Sequence, residues 1–153
     1  MAANAQAICT SFKQDLLNGL HAFGASVIRA ATTKDTFNAA LYLINGSIGA
    51  ATSAYSATGE VANSGTYSAG GQALTNATAP TTSGTTAFWT PSANLTWTGF
   101  TSAAFDCMLL YNATAAGKNA VAAYTFGSQS VTSGTFTLSM PVNASGTALI
   151  QLN

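Results

Sequence analysis

The chain has 153 residues, of which 48% are hydrophobic, so it is long and apolar enough to form one domain with a buried core. Only 5% of the residues are charged, four basic and four acidic, and the formal net charge is zero. Because phosphate binding needs clustered lysines and arginines, this composition argues against a nucleic-acid partner. A neutral chain also has little electrostatic protection against self-association, which favours a homo-dimer or homo-trimer.

The sequence contains no sign of export or of a membrane span. No stretch approaches the roughly 20 apolar residues of a membrane-spanning helix, so no membrane partner is expected. Residues 1–6 lack the basic region and the apolar core of a signal peptide, which predicts a protein made in the cytoplasm. Cys9 and Cys107 are too few for a disulfide framework, and we interpret them as reduced thiols packed in the core.

The first part of the chain predicts an arm followed by one helix. Residues 1–10 are small and polar without periodicity, which is typical of an extended arm. A helix is predicted over residues 11–23, where Ser11 and Gln14 have the spacing of a capping box. Its apolar stripe consists of residues three or four apart, namely Phe12, Leu16, Leu20 and Phe23.

From residue 37 onward the apolar residues alternate with a period of two, which is typical of β-strands. Asn45-Gly46 predicts a turn, and residues 46–66 predict a long loop. The predicted strands then follow in chain order: Tyr67 to Thr75, Thr85 to Thr90, Leu95 to Gly99, Phe105 to Tyr111, Val121 to Thr125, Phe136 to Met140 and Ala148 to Leu152.

The strand from Phe105 to Tyr111 is apolar without alternation, so we expect a central strand buried on both faces. About seven or eight short strands separated by Gly, Ser and Asn turns indicate a mainly β fold. We therefore predict a single domain over residues 1–153, an antiparallel β-sandwich or jelly-roll-like domain with one N-terminal helix and an extended N-terminal arm.

Catalytic and metal chemistry find little support in the sequence. The single histidine, His21, lies beside the apolar stripe, and we expect it at the helix surface or at an interface. No serine occupies a G-x-S-x-G motif, and no cysteine or histidine has the spacing of a zinc site. Calcium bound by asparagine and backbone oxygens stays open. The prediction is a protein that is not an enzyme, with no catalytic, cofactor-binding or metal residue and no cofactor.

The carboxylates are few and scattered, being Asp15, Asp35, Glu60 and Asp106. A pair placed for hydrolysis is therefore unsupported. Asp106 lies in an apolar strand, so it needs a partner, either an arginine, a lysine or a set of backbone donors. Glu60 is the one charge in the segment from Ala54 to Thr75, and we expect it to anchor this loop to backbone N–H groups or to a neighbouring subunit.

Several aromatic residues are candidates for an interface. Trp89 and Trp97 fit an aromatic platform for sugars, or alternatively the core or an oligomer contact. With the residues singled out above, the candidate interface set is Phe12, His21, Tyr55, Glu60, Tyr67, Trp89 and Trp97.

Three stretches of the chain resemble a known family. The first is Ala7 to Phe23, and the second is Tyr55 to Thr75, with the elements Y-x-A-T-G-E-V and Y-x-A-G-G. The third combines Leu109 to Asn112 with the downstream runs Ala120 to Gly127 and Gly134 to Pro141. Together these stretches are similar to small bacteriophage virion structural proteins of the capsid decoration, or cement, type.

The resemblance implies a role as well as a fold. It implies a β-sandwich on the outside of a phage head that binds the major capsid protein, stabilises the capsid and carries no cofactor. The protein would then be made in the host cytoplasm and end on the capsid surface of the virion. The alternative is a tail- or fibre-associated module that binds host glycans through Trp89 and Trp97.

Overall fold

The computed structural model describes residues 4–9, 34–75, 80–84 and 86–152, together with the single positions Phe12, Leu20, His21 and Phe23. Within these residues the chain is mainly β, and every strand pair is antiparallel. The predicted β class is therefore confirmed. The described residues include no helix that is long and apolar enough to cross a membrane.

The described part of the chain contains eight strands in two sheets. The strands are β1 (Ala7–Ile8), β2 (Phe37–Leu43), β3 (Gln72–Ala73), β4 (Thr81–Ser83), β5 (Thr86–Trp89), β6 (Leu95–Asn112), β7 (Ala120–Leu138) and β8 (Ile150–Leu152). The larger sheet has the order β1-β7-β6-β2-β3, and the smaller sheet has the order β4-β5-β8. Trp89 of β5 packs against Phe37 of β2 with ring centroids 6.1 Å apart, so the two sheets are in contact.

The second half of β6 and its neighbour β2 form the centre of the core. All residues of β6 from Phe105 to Asn112 are buried, and β2 is buried from Ala39 to Tyr42. A strand that is covered on both faces carries apolar residues at successive positions rather than at alternate ones. The prediction of a central strand from Phe105 to Tyr111 is therefore confirmed.

Strands β6 and β7 form one long ribbon that bends back on itself. Phe126 and Phe136 are ten residues apart in β7, a distance of roughly 33 Å in a straight strand. Their ring centroids nevertheless lie 5.8 Å apart. The register between β6 and β7 shifts at five places, and such bulges bend and twist a ribbon. The predicted division of each long strand into two short ones was wrong, because pairing continues through the bulged stretches.

The bend gathers aromatic rings from both halves of the ribbon. Phe136 stacks on Trp97 with centroids 5.9 Å apart and meets Phe105 edge-on at 4.9 Å. Tyr67, from the loop before β3, lies 5.7 Å from both Trp97 and Phe100. Aromatic pairs at these distances stabilise beyond their buried area, so the rings hold the bend in place.

The shorter predicted elements have mixed outcomes. The turn at Asn45-Gly46 and the strand before Thr90 are confirmed. The strand predicted from Tyr67 to Thr75 was wrong except for β3, because this segment otherwise contains only an isolated bridge at Tyr67 and a turn at Ala69 and Gly70. Strand β4, which has no apolar side chain to signal it, was not predicted.

Residues 4–9 belong to the sheet and do not form the predicted extended arm. Ala7 and Ile8 pair with β7, opposite Ala123 and Ala122, and Cys9 is fully buried. The prediction was wrong for these residues because their partners lie far along the chain, where local periodicity gives no signal.

The predicted helix over residues 11–23 lies outside the described residues except at four positions. Phe12 is fully buried and meets Phe23 edge-on, with centroids 5.8 Å apart. Leu20, by contrast, is 36% exposed. The predicted apolar stripe therefore does not face the core at every described position.

Candidate functional site

Glu60 is the centre of a hydrogen-bonded cluster that fixes the loop between β2 and β3. Its Oε1 accepts hydrogen bonds from the Tyr67 hydroxyl at 2.8 Å and from the Gly70 N–H at 2.7 Å. Its Oε2 accepts a hydrogen bond from the Tyr55 hydroxyl at 2.6 Å. The backbone anchor expected from the sequence is therefore present, and two tyrosines that the sequence did not assign to it complete the site.

A fifth residue, Tyr111 of β6, joins this cluster to the central sheet. Its hydroxyl donates to the Gly70 carbonyl at 2.7 Å, and its ring stacks on Tyr55 with centroids 4.7 Å apart. The Lys118 ammonium lies 5.1 Å from the centre of the Tyr55 ring, a cation–π distance. We call Tyr55, Glu60, Tyr67, Gly70 and Tyr111 the Glu60 cluster.

The tyrosines of the Glu60 cluster act as hydrogen-bond donors. Burial and the nearby Glu60 carboxylate raise the pKa of Tyr67 and of Tyr55 well above the usual range. Both hydroxyls therefore keep their protons and donate them to Glu60. Tyr67 also accepts a hydrogen bond from the Leu41 N–H at 2.9 Å, which links the cluster to β2.

The cluster turns large side chains inward and leaves small ones on the outside. Two glycines make this possible, since Gly71 has φ of +71° and Gly65 has φ of +56°, and both lie directly against neighbouring backbone. The exposed residues between positions 56 and 69 form what we call the loop surface, consisting of Ser56, Ala57, Thr58, Ala62, Asn63, Gly65, Thr66, Ser68 and Ala69.

The loop also covers one edge of the bent ribbon. The Thr66 N–H donates to the Thr98 carbonyl at 3.0 Å, and the Thr98 N–H donates to the Thr66 hydroxyl at 2.9 Å. The Thr101 N–H donates to the Ser64 hydroxyl at 2.8 Å. These bonds satisfy backbone groups of β6 beyond the point where β2 ends, so this edge is closed.

The opposite edge of the ribbon is open. β1 leaves β7 after the pair Ala7–Ala123, and among the described residues only β6 pairs with β7 from Thr125 to Leu138. Positions from Ser128 to Thr135 are exposed apart from Val131 and Gly134, which are half-buried. We call Ser128 to Thr135 the edge segment. The sequence signal for it was the absence of any charge or proline from Ala120 to Leu138.

Asp106 has a partner of a kind that the sequence did not predict. The Asn4 side-chain amide donates to Asp106 Oδ1 at 2.7 Å and to the Leu43 carbonyl at 3.0 Å. Asn4 Oδ1 accepts from the Ile48 N–H at 2.7 Å. A neutral amide therefore fills the position expected for an arginine, a lysine or backbone donors, and no sequence pattern connects residues 4 and 106.

His21 is a core side chain and not the predicted surface or interface residue. It is 7% exposed, and its ring lies 5.0 Å from Phe12 and 6.3 Å from Phe37. The Asn112 amide nitrogen lies 3.2 Å from His21 Nδ1 and donates to Asp35 Oδ2 at 2.9 Å. These three polar side chains are buried together, which suits a structural role in joining β6 to the segment before β2.

The candidate aromatic residues are mostly buried. Trp89 and Trp97 are 2% and 1% exposed, and Phe12 and Tyr67 are buried as well. A sugar platform needs accessible ring faces, so the glycan hypothesis is wrong for these two tryptophans. Of the seven candidate interface residues, only Tyr55 and Glu60 are half-exposed, and the Glu60 cluster accounts for both.

The two thiols are free and buried, as the sequence indicated. Burial, together with the charge of Asp106, raises the pKa of Cys107 to about 12, and burial raises that of Cys9. Neither thiol is therefore a ready nucleophile or metal ligand. Within the described residues no group of three or more His, Cys, Asp or Glu side chains comes together to hold a metal ion.

A groove of about 300 Å³ lies beside the open edge of β7. Its lining includes Met108, Phe126, Leu138 and Met140, and it contains no charged side chain. The Tyr124 hydroxyl, which also lines the groove, donates to the Leu149 carbonyl at 2.6 Å. The groove is thus an uncharged depression that lies next to the uncharged edge of β7.

No known family model, curated protein or solved structure matches this chain. The resemblance to phage virion proteins in the three sequence stretches therefore stays a prediction, and the site is interpreted from its own geometry.

Replacing Glu60 should loosen the loop. We expect Glu60→Ala to lower the free energy of unfolding by about 3 kcal/mol, since it removes the acceptor of three hydrogen bonds, one of them from the buried Tyr67. Glu60→Gln keeps the size and one acceptor oxygen, so it should cost about 1 kcal/mol. Urea unfolding of both variants checks this, and equal stability of Glu60→Ala and the unchanged protein would contradict an anchoring role.

Proposed function

We propose that this protein is a structural bacteriophage virion protein that decorates the outside of the capsid and stabilises it. In this proposal the major capsid protein is its partner and the chain acts as a homo-oligomer. It acts without catalysis and without a cofactor. It is made in the host cytoplasm and ends on the capsid surface.

The observation that carries the proposal is the character of the surface. The loop surface and the edge segment are both built from small, uncharged residues. Such surfaces allow close contact over a broad area, because no long charged side chain must be desolvated. Many weak contacts repeated by symmetry are sufficient to clamp capsid subunits together.

The loop surface suits this role because it is rigid. The Glu60 cluster ties the loop to β2 and β6 through hydrogen bonds of 2.6 to 2.9 Å. A surface that is ordered before binding loses little conformational entropy on contact, which favours affinity. We propose the loop surface as the capsid-facing contact, although the sequence assigned candidate contacts mainly to aromatic side chains.

The finer description of the fold also belongs to this proposal. The contacts between Trp89 of β5 and Phe37 of β2, and between Phe126 and Phe136 within the bent ribbon, support a sandwich-like arrangement. We propose a sandwich of the jelly-roll kind. The alternative role as a glycan-binding tail or fibre module has lost its support, because both tryptophans that carried it are buried.

The proposal predicts how the protein leaves the particle. With eight charged side chains in 153 residues, its attachment should depend on apolar burial and neutral hydrogen bonds. Salt screens charges over about 8–10 Å at physiological strength but does not weaken apolar burial. Virions of the encoding phage should therefore keep the protein in concentrated NaCl and lose it in mild urea, as measured by sedimentation and gel analysis of the pellet.

The copy number of the protein in the virion is the control for this experiment. Quantitative mass spectrometry of the same virions should give a copy number comparable to that of the major capsid protein, whereas a tail or fibre protein is present in far fewer copies. Absence from purified virions would overturn the proposal. Release by NaCl alone would instead mean that ion pairs carry the attachment.

A further inference from the structure

We propose that the edge segment, Ser128 to Thr135 of β7, is a self-pairing surface through which two copies of this chain form a two-fold antiparallel dimer. The proposal rests on the homo-oligomer part of the proposed function and names its surface. A two-fold edge contact closes on itself, so it predicts a dimer and excludes a trimer built by this strand.

The first step is that the edge is available for pairing. Among the described residues, the outer side of β7 has no backbone partner from Thr125 to Leu138, whereas the loop closes the other edge of the ribbon. An open strand edge presents N–H and C=O groups that can pair with another strand. The edge segment is thus a template for one further strand.

The second step is that no charge and no proline protects the edge from another copy. Proteins usually keep open edges apart with lysines, other charges or prolines. β7 has none of these along its 19 residues, and no charged side chain follows Lys118 anywhere in the chain. The protective features are the bulges between β6 and β7 and the positive φ of Ser133 (+47°), which interrupt the extended backbone but place no charge on the edge.

The third step is that the occupant is a second copy. Like charges opposite each other destabilise a strand pair, and two identical uncharged edges avoid this cost in every register. The edge segment meets this condition, and its serines and threonines can form cross-strand hydroxyl pairs. The ribbon already contains such a pair, since the Thr96 and Thr137 hydroxyls lie 3.1 Å apart across β6 and β7. A charged partner would find no countercharge here.

The test is the association state of the purified full chain. Analytical ultracentrifugation over a concentration series should show a monomer–dimer equilibrium. The double variant Ser130→Lys with Thr132→Lys changes two exposed positions and places four like charges along the paired edges. It should raise the dissociation constant at least about tenfold, which corresponds to about 1.4 kcal/mol. The matched control, Thr82→Lys with Ser145→Lys, adds the same charge at exposed positions elsewhere and should leave the dimer intact.

Hydrogen exchange of the unchanged protein provides a second readout that does not depend on folding of a variant. Amides between residues 128 and 135 should become more protected as concentration rises, while those of the loop surface should not. A monomer at every concentration, a trimer, or a dimer that the edge lysines leave unchanged would overturn the proposal. Because these measurements use no capsid, self-pairing can fail while attachment to virions, tested separately, still holds.

Discussion

Gly71→Ala should remove most of the stability of this protein. A Cβ at residue 71 would lie 1.9 Å from the Ala39 carbonyl oxygen and 2.7 Å from the Ala40 Cα, both of which are backbone atoms of β2. Residue 71 also has φ of +71°, where a side chain adds further strain. We expect the free energy of unfolding to fall by about 4 kcal/mol, a value reserved for severe core disruption.

The matched control is Gly84→Ala. Gly84 has φ of +58°, similar to that of Gly71, but no atom lies within 4 Å of the added Cβ. Only the backbone strain remains, so the cost should be about 1 kcal/mol. Urea unfolding of both variants separates the two causes. Equal losses would show that strain alone matters and that β3 does not lie as close to β2 as described.

Asn4→Ala should also destabilise the protein strongly. It removes the amide that donates to the buried Asp106 carboxylate and to the Leu43 carbonyl, and it leaves the buried Ile48 N–H without an acceptor. Breaking a buried charged pair typically costs 3–5 kcal/mol, and here the partner is neutral, so we expect about 3 kcal/mol. The midpoint of thermal unfolding should fall accordingly.

Asn63→Ala is the control for Asn4→Ala. Asn63 Oδ1 accepts one hydrogen bond, from the exposed Ala69 N–H at 2.6 Å, so its loss should cost about 1 kcal/mol or less. Wild-type stability of Asn4→Ala would show that residues 4–9 are the loose arm which the sequence suggested.

The sequence predicted those parts of the fold in which burial is decided locally. The apolar run from Phe105 to Tyr111, interrupted only by Asp106, identified the central strand, and the charge of Glu60 among small residues identified the loop anchor. In both cases the residues concerned differ in polarity from the segments around them. The alternation of apolar residues located the strands around Trp97 and Phe136, although it did not predict how far these strands extend.

The remaining features depend on contacts between distant residues. Asn4 is separated from Asp106 by 102 positions, and an asparagine in a polar segment gives no sign of that contact. The ribbon was divided in the sequence because bulges interrupt its alternation, whereas pairing tolerates them. Burial of Trp89 and Trp97 likewise depends on sheet packing. Composition alone therefore could not decide whether these side chains lie in the core or form a sugar platform.

The pairing of β1 with β7 has a consequence for biosynthesis. Ala7 lies opposite Ala123, so β1 cannot find its place until β7 has been translated. At about 5–20 residues per second, the N-terminal segment waits for several seconds beside the growing chain. A polypeptide truncated before Ala120 lacks β7 altogether and has no partner for β1. Native pairing of β1 therefore requires translation through β7, and chains terminated before Ala120 remain substrates for proteolysis.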